Sequence, residues 1–350
     1  MRIPELEFNE PTSVILGAGA TRGASFVKKL SGSLPPLDAD FFTQLQRLSA
    51  SKPPRLVEDA IEDVASIFGR DHNLTLEQYL THIEQLANVF DDYRLVGRPP
   101  RNPYRRMRGN LIQALAAVLD ESIGHSPECA YHEHLVKSLT TRDTIISFNY
   151  DWVIDHALRV YGQRKWNPVY GYGVPVYRDA GARFWATQRA GVGPLFPPGT
   201  IELLKMHGSM NWFSVPTEMA HIRVRLRQRW WHQQGNLRFE IAPPEWNKPI
   251  RAGVYREVWR RARNALRRSR ALVFIGYSLP ETDLPARALL LVDAVQERYV
   301  PLRWLIVVNP DPIAKARIRR TLTPRMTNRT RTLAFDYFED FHNFMIKGTL

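Results

Sequence analysis

Thr12-Ser13-Val14-Ile15-Leu16-Gly17-Ala18-Gly19-Ala20-Thr21 is a short apolar run that stops abruptly in a glycine turn. Too short for a core helix and closed by glycine, it reads as a buried strand entering a tight turn. Glycine at such a turn admits an anion close to the backbone amides, and a helix starting there adds its positive end. Gly17, Ala18, Gly19 and Thr21 are therefore candidate phosphate-binding positions. The full G-x-G-x-x-G pattern is not present, because Arg22 stands where the third glycine would fall and Gly23 comes one residue later.

Outward from this stretch, runs of the same character recur at Thr144–Phe148, Ile201–Lys205, Ala271–Ile275 and Leu302–Val308, each ended by a polar or glycine-containing turn. Helical spacing separates several of them. Tyr255, Val258, Trp259, Ala262 and Leu266 fall on one helix face, and Leu284 to Val295 supports a further helix. Alternation of this kind predicts an α/β fold with a doubly wound, Rossmann-like, mostly parallel sheet in a single domain over residues 1–350. Residues 40–135 read as a mainly helical insertion or cap, through Val57–Phe68, Leu76–Phe90 and Met107–Ile123. Within 216–249, Ile222–Leu226 and Leu237–Ile241 alternate as the strands of a hairpin insertion would. Residues 161–200, rich in Gly, Pro, Tyr and Trp, suit either a lid over a ligand or a surface decoration.

A chain of 350 residues with 44% hydrophobic and 24% charged composition is ordinary for a globular protein with a large core. Its single cysteine, Cys129, excludes an intrachain disulfide and a cysteine-rich zinc site. No run of eighteen apolar residues occurs, and the start, Met1 to Glu7, lacks the apolar core of a secretory signal. The expectation is a cytoplasmic chain without a membrane segment. The formal charge is +13, concentrated late: residues 251–270 hold eight arginines and one glutamate, and 315–331 hold seven Lys or Arg and no acid. Such stretches are either solvated helix faces or surfaces for nucleic acid, an acidic partner or an anionic substrate.

Polar residues gather where the strands end. Asn149 and Asp151 follow the second run; an amide there can accept and donate, and a carboxylate can orient a sugar hydroxyl or an imidazole. The alternative is a turn at Asn149 and a helix cap at Asp151. His207, Gly208 and Ser209 follow the third run, supplying a base that titrates near neutrality, a close-approach position and a hydroxyl. Gly276 and Ser278 follow the fourth run and suit phosphate or ribose, and Asn309 or Asp311 after the fifth suits a ribose; the alternatives are a turn at Ser278 and strand termination at Asn309-Pro310. Carboxyl-end loops of an α/β sheet converge on one crevice, so the joint pattern says more than any member.

Taken in order, Gly17-Ala18-Gly19, Phe148-Asn149-Tyr150-Asp151, Lys205-Met206-His207-Gly208-Ser209, Gly276-Tyr277-Ser278 and Val308-Asn309 resemble the stations of the sirtuin superfamily. The phrase Phe274-Ile275-Gly276-Tyr277-Ser278-Leu279-Pro280-Glu281-Thr282-Asp283 is especially similar to the bacterial SIR2-like defence branch. What the resemblance implies is a site for NAD as substrate. The first glycine turn and Gly276 to Ser278 would embrace the phosphates, and Asn309 the adenosine side. Asn149 would place a water or the nicotinamide ribose, His207 would be the catalytic histidine, and Asp151 would support that network. Asp40 and Phe41 match the cofactor-binding loop only loosely. Deacylating sirtuins carry four zinc cysteines, which one cysteine cannot supply, so no structural zinc is expected. The weight shifts to an NAD hydrolase (NADase) that acts as a regulated effector in antiphage defence. An NAD-dependent protein deacylase, or a regulatory subunit that binds NAD or nucleic acid without turnover, are the alternatives. Control by homo-oligomerisation, by a partner protein or by nucleic acid at the arginine-rich surface would accompany such an activity.

Overall fold

All five residues of the first strand, β1 (Thr12–Leu16), are buried, which requires cover on both faces of the sheet and a neighbour on each edge. The computed structural model describes residues 10–49, 55–92, 102–124, 127–174, 176–177, 199–214, 222–224, 238–242, 253–291 and 299–347. After β1 the chain forms α1 (Ala18–Arg22), α2 (Phe41–Ser49), α3 (Arg55–Phe68), α4 (Leu76–Asp92), α5 (Pro103–Ile123) and α6 (Ala130–Ser138). Then follow β2 (Thr144–Ser147), α7 (Val153–Tyr161), α8 (Pro168–Gly171), β3 (Val176–Tyr177), β4 (Glu202–Lys205), β5 (Gly208–Ser214), β6 (Ile222–Val224) and β7 (Arg238–Ile241). The last part is α9 (Gly253–Arg268), β8 (Ala271–Ile275), α10 (Leu284–Leu291), β9 (Trp304–Val308), α11 (Pro312–Leu322), β10 (Arg331–Phe335) and α12 (Phe338–Lys347).

Six strands make a parallel sheet in the order β10-β9-β8-β1-β2-β4. In β1, Val14 lies between Ile145 of β2 and Val273 of β8, and the chain reverses its direction of winding at the boundary of β1 and β8. This is the doubly wound arrangement the alternation predicts, and its crevice opens at the carboxyl ends on either side of β1. Nearly continuous apolar runs form these strands because helices cover both faces. Each fully buried Leu, Ile or Val side chain contributes about 1.5–3 kcal/mol.

Two cores follow from the packing. One lies around the sheet and includes Ile15, Ile146, Leu204, Phe274 and Ile306; α9 joins it through Val254, Tyr255, Val258, Trp259, Ala262 and Leu266, the face its spacing predicts. The other lies inside α2 to α5, among Phe41, Leu45, Val64, Tyr79, Ile83, Leu115 and Val118, and reaches Trp152, Val153, Met210 and Phe213. Asn102 starts α5 by accepting hydrogen bonds from the backbone amides of Tyr104 and Arg105, with Pro103 at the first helical position.

A second, smaller sheet runs β3-β6-β5-β7. The strands Ile222–Val224 and Arg238–Ile241 do not pair with each other as hairpin arms would; they flank β5, each antiparallel to it. The rest of the 216–249 stretch, most of 161–200 beyond Val174 and the end of the Leu284–Val295 helix lie outside the described residues. No described helix is long and apolar enough to cross a membrane.

The two sheets meet over a buried charge. Lys205, at the end of β4, has no exposed surface. Its ammonium donates to the Asp151 carbonyl and lies 3.2 Å from Asp155 Oδ2 on α7. Asp155 Oδ1 accepts in turn from the Tyr172 hydroxyl and from Asn211 Nδ2 of β5 (3.1 Å). Burial, and then the Asp155 charge, push the Tyr172 phenol well above its ordinary range, so it stays a donor. Removing one member of a buried pair leaves the other uncompensated. Lys205→Met is expected to cost about 3–5 kcal/mol in denaturant unfolding; a cost below about 1 kcal/mol would show that Asp155 needs no partner.

Candidate functional site

The glycines of the first turn are required by a neighbour, not only by the bend. Gly17 N donates to Ile275 O (3.0 Å) and Gly19 N to Gly276 O (3.0 Å), so the turns after β1 and β8 interlock. A β-carbon on Gly17 would come within 2.5 Å of Gly276 O. Gly276 has φ +61°, and a β-carbon there would lie 2.0 Å from Ala20 N. Only glycine satisfies both the left-handed backbone and the close approach.

Above these turns opens a cavity of about 830 Å³. Its walls come from the carboxyl end of every strand of the main sheet: Gly17, Ala18 and Gly19 after β1, Phe148 and Tyr150 after β2, His207 after β4, Gly276 to Ser278 after β8, Asn309 after β9, and Asp336 to Phe338 after β10. The helical block closes one side with Leu37, Asp38, Ala39, Thr75, Glu77 and Gln78. Two hydrogen bonds tie that block down near the cavity. Glu77 N donates to Asp38 Oδ1 (2.8 Å), and the Thr282 hydroxyl donates to Glu77 Oε2 (2.6 Å).

His207 sits at the break between β4 and β5, where the chain passes from one sheet to the other. Its carbonyl accepts from Ala242 N (2.9 Å), and its ring lies edge-on to Phe148. Nε2 is 3.7 Å from Asp283 Oδ2, and both residues line the cavity while almost fully buried. The Tyr277 hydroxyl donates to the same Asp283 oxygen (2.8 Å), and the Tyr277 ring stacks on Phe148 at 4.2 Å. Burial, followed by the Asp283 charge and hydrogen bond, raises the Tyr277 phenol well above its ordinary range. A carboxylate here faces the imidazole.

Asn149 and Asp151 stand just behind this wall. Asp151 Oδ1 accepts from Val153 N (3.0 Å) at the start of α7, and Oδ2 accepts from the Thr21 hydroxyl (2.6 Å). Having given its proton to Asp151, Thr21 Oγ1 accepts from Asn149 Nδ2 (3.3 Å). That chain fixes the Asn149 amide and leaves Oδ1, buried, with no hydrogen-bond partner among the described residues. A buried acceptor left open in this way calls for a specific explanation. Asp151 thus both caps a helix and orients the network, and Ser209, fully buried, donates to the Tyr150 carbonyl (3.0 Å).

Of the residues singled out by sequence, the structure brings Gly17, Ala18, Gly19, His207, Gly276, Ser278 and Asn309 to the cavity wall. Asn149, Asp151, Thr21, Gly208 and Ser209 form the layer behind. Asp40 and Phe41 are elsewhere engaged. Asp40 takes hydrogen bonds from Leu37 N and Gln44 and an ion pair from Arg22, while Phe41 is buried in the helical core. Leu37 to Ala39, just before them, reach the wall instead. Among the described residues no group of three or more His, Cys, Asp or Glu is placed to hold a metal ion.

Comparison with known proteins returns no matching family model and no matching curated protein. Distant structural matches do occur. A Sir2 homologue in complex with NAD aligns over 97% of this chain and 89% of its own, at 11% identity and a TM-score of 0.43. A structure concerned with sirtuin substrate affinity aligns over 100% of both chains at 13% identity and a TM-score of 0.42. A Sir2 protein bound to an inhibitor, 2'-O-acetyl-ADP-ribose and a deacetylated peptide aligns over 96% of this chain and 93% of its own, at 12% identity and a TM-score of 0.40.

Asp283, Glu77 and Arg22 join the site without standing out as functional residues in the sequence, and Tyr277, within the Gly276 to Ser278 station, adds a stacked ring and a phenol donor. Asp283 and Tyr277 lie within the phrase Phe274 to Asp283, but the pairing of Asp283 with His207 depends on a loop folding back across two strands. Arg22 is visible in the sequence only as the residue that breaks the glycine pattern; it donates to Pro35 O (2.6 Å) and holds the loop at the cavity. Gly276→Ala is expected to cost at least about 2 kcal/mol of stability, through its left-handed backbone and the backbone overlap. Denaturant titration checks this, and an unchanged midpoint would show that the two turns do not interlock.

Proposed function

We propose that the cavity takes NAD and that the chain is an NAD glycohydrolase, releasing nicotinamide and ADP-ribose as a regulated effector in antiphage defence. The observation that carries the chemical reading is the meeting, in one cavity, of interlocked glycine turns with the His207–Asp283 pair, beside the open Asn149 acceptor. A volume of about 830 Å³ falls in the range of small-molecule and cofactor pockets. Turns without side chains at Gly17, Gly19 and Gly276 leave room for a diphosphate against the backbone.

In the proposed reaction the bond between C1' of the ribose and the pyridinium nitrogen breaks, and its electron pair neutralises the departing nicotinamide. The leaving group is already cationic, so no acid is needed. A water oxygen forms the new bond to C1' and loses a proton to His207, and Asp283 stabilises the imidazolium that results. Asn149 Oδ1 accepts a hydrogen bond from the water or a ribose hydroxyl and fixes its approach. Thr21 and Asp151 are positioning residues, acting through Asn149. Unregulated depletion of NAD would be toxic to the cell, so the proposal includes control by self-association, by a partner protein or by nucleic acid.

The test is a time-resolved product assay on the full chain, resolving nicotinamide, ADP-ribose, cyclic products and acyl-ADP-ribose, with and without phage lysate or nucleic acid. Nicotinamide and ADP-ribose are expected in equal amounts. Asn149→Ala and His207→Ala should remain folded and each lose about 100-fold or more in turnover. Asp283→Asn should lower kcat by roughly tenfold or more with little change in KM. Turnover retained in both alanine variants would reject this site, and NAD binding without product under every condition would reject the hydrolase.

A further inference from the structure

The opposite end of the sheet, where its strands begin, has a different chemistry. β8, β9 and β10 are adjacent, and each is entered through an arginine: Arg270 before β8, Arg303 before β9 and Arg331 at the start of β10. Their backbones are joined in a row, Arg303 N donating to Arg270 O (2.8 Å) and Arg331 N to Arg303 O (2.8 Å). Ala271 pairs with Trp304, so Arg270 and Arg303 are opposite each other and their stems leave the same face about 4.8 Å apart, whereas Arg331 pairs with Trp304 and leaves the other face of the same edge. Glu10 is a single carboxylate between two of them, 2.9 Å from Arg303 and 3.5 Å from Arg270. Arg331 lies over the Trp304 ring at 5.3 Å, an arrangement that leaves the in-plane N–H groups of a guanidinium directed outward.

Beside this row is an open recess of about 570 Å³ lined by Asn264, Arg267, Arg268, Tyr299 and Val300. Its floor is fixed. Arg325 is buried, donates to Ser269 O (2.9 Å) and Val300 O (3.3 Å), and lies 5.4 Å from the Tyr299 ring centroid. Arginines at the end of α9 would also suit the negative end of the helix dipole. The dipole does not reach Arg270, Arg303 and Arg331, which lie outside helices, nor does it explain the aromatic wall of the recess.

We propose that this edge binds a single strand of nucleic acid, Arg270 and Arg303 taking successive phosphates and the Tyr299 recess taking an unstacked base. A planar guanidinium matches phosphate through two parallel hydrogen bonds, and a base stacks on an aromatic face whatever its sequence. The edge is one strand length, roughly 17 Å, from the cavity, so a bound strand leaves the cavity open. The proposal does not depend on what the cavity does.

Fluorescence anisotropy of the full chain with a labelled strand of about 20 nucleotides, between about 50 and 200 mM salt, tests it. Binding should weaken linearly in log affinity against log salt. Arg270→Glu/Arg303→Glu should weaken it about tenfold or more and flatten the slope by about one for each phosphate that is no longer held. Arg270→Lys/Arg303→Lys should retain the slope with lower affinity, and Tyr299→Ala should weaken binding about fivefold or more. Arg55→Glu/Arg106→Glu, an equal charge change on the helical block, should stay within about twofold of the parent. The proposal is overturned by no binding at the lowest salt or by an equal weakening in the helical-block control. It is also overturned if polyglutamate or anionic vesicles bind this edge as tightly as the strand does.

Discussion

A lysine ammonium with no access to water must find its partners inside the protein, and Lys205 finds two, the Asp151 carbonyl and Asp155. Its ion pair with Asp155 holds β4 against α7, its bond to the Asp151 carbonyl fixes the chain after β2, and Asp155 carries the link on to Asn211 in the second sheet. Lone charges of this kind are expensive, and the surrounding residues are determined by the need to satisfy this one. The consequence for function lies one step away. Asp151 is held from behind, Thr21 is held by Asp151, and Asn149 is held by Thr21, so the open Asn149 oxygen has a defined direction. The other wall is fixed by steric exclusion, since the turns at Gly17 to Gly19 and Gly276 occupy each other's β-carbon space.

The strands of the sheet interior are legible in the sequence because burial on both faces leaves an uninterrupted apolar run, as in Val14 to Leu16 and Leu272 to Ile275. β10 is not, for the same reason reversed. It lies at the sheet edge, Arg331, Thr332 and Ala334 are exposed, and Arg-Thr-Leu-Ala-Phe shows no buried run. The helical block is visible through amphipathic spacing in α3 and α4, but its attachment to the sheet by Thr282 and Glu77 depends on a hydrogen bond across 205 positions. Asn149 and His207 stand out as polar residues ending apolar runs. Asp283 does not, because a carboxylate after Thr282 reads as an ordinary helix start until His207 is seen opposite it. Phe41 looks available in a proline-containing loop, yet an aromatic at the start of an amphipathic helix is drawn into the core.

The two ends of one parallel sheet thus carry separate chemistries. Each strand's carboxyl end contributes to an acid-containing, partly apolar cavity, whereas three adjacent strands begin on arginine. Parallel topology permits this because it collects all the βα turns on one edge and all the αβ turns on the other.

The central claim is that Asn149, His207 and Asp283 face the reacting ribose of a dinucleotide whose phosphates rest on the glycine turns. A crystal structure with NAD or ADP-ribose bound tests it most directly. The diphosphate is expected against the turns at Gly17 to Gly19 and Gly276, and C1' of the nicotinamide-side ribose beside His207 and Asn149 Oδ1. A ligand bound elsewhere, or one in this cavity with that ribose turned away from His207, would contradict it.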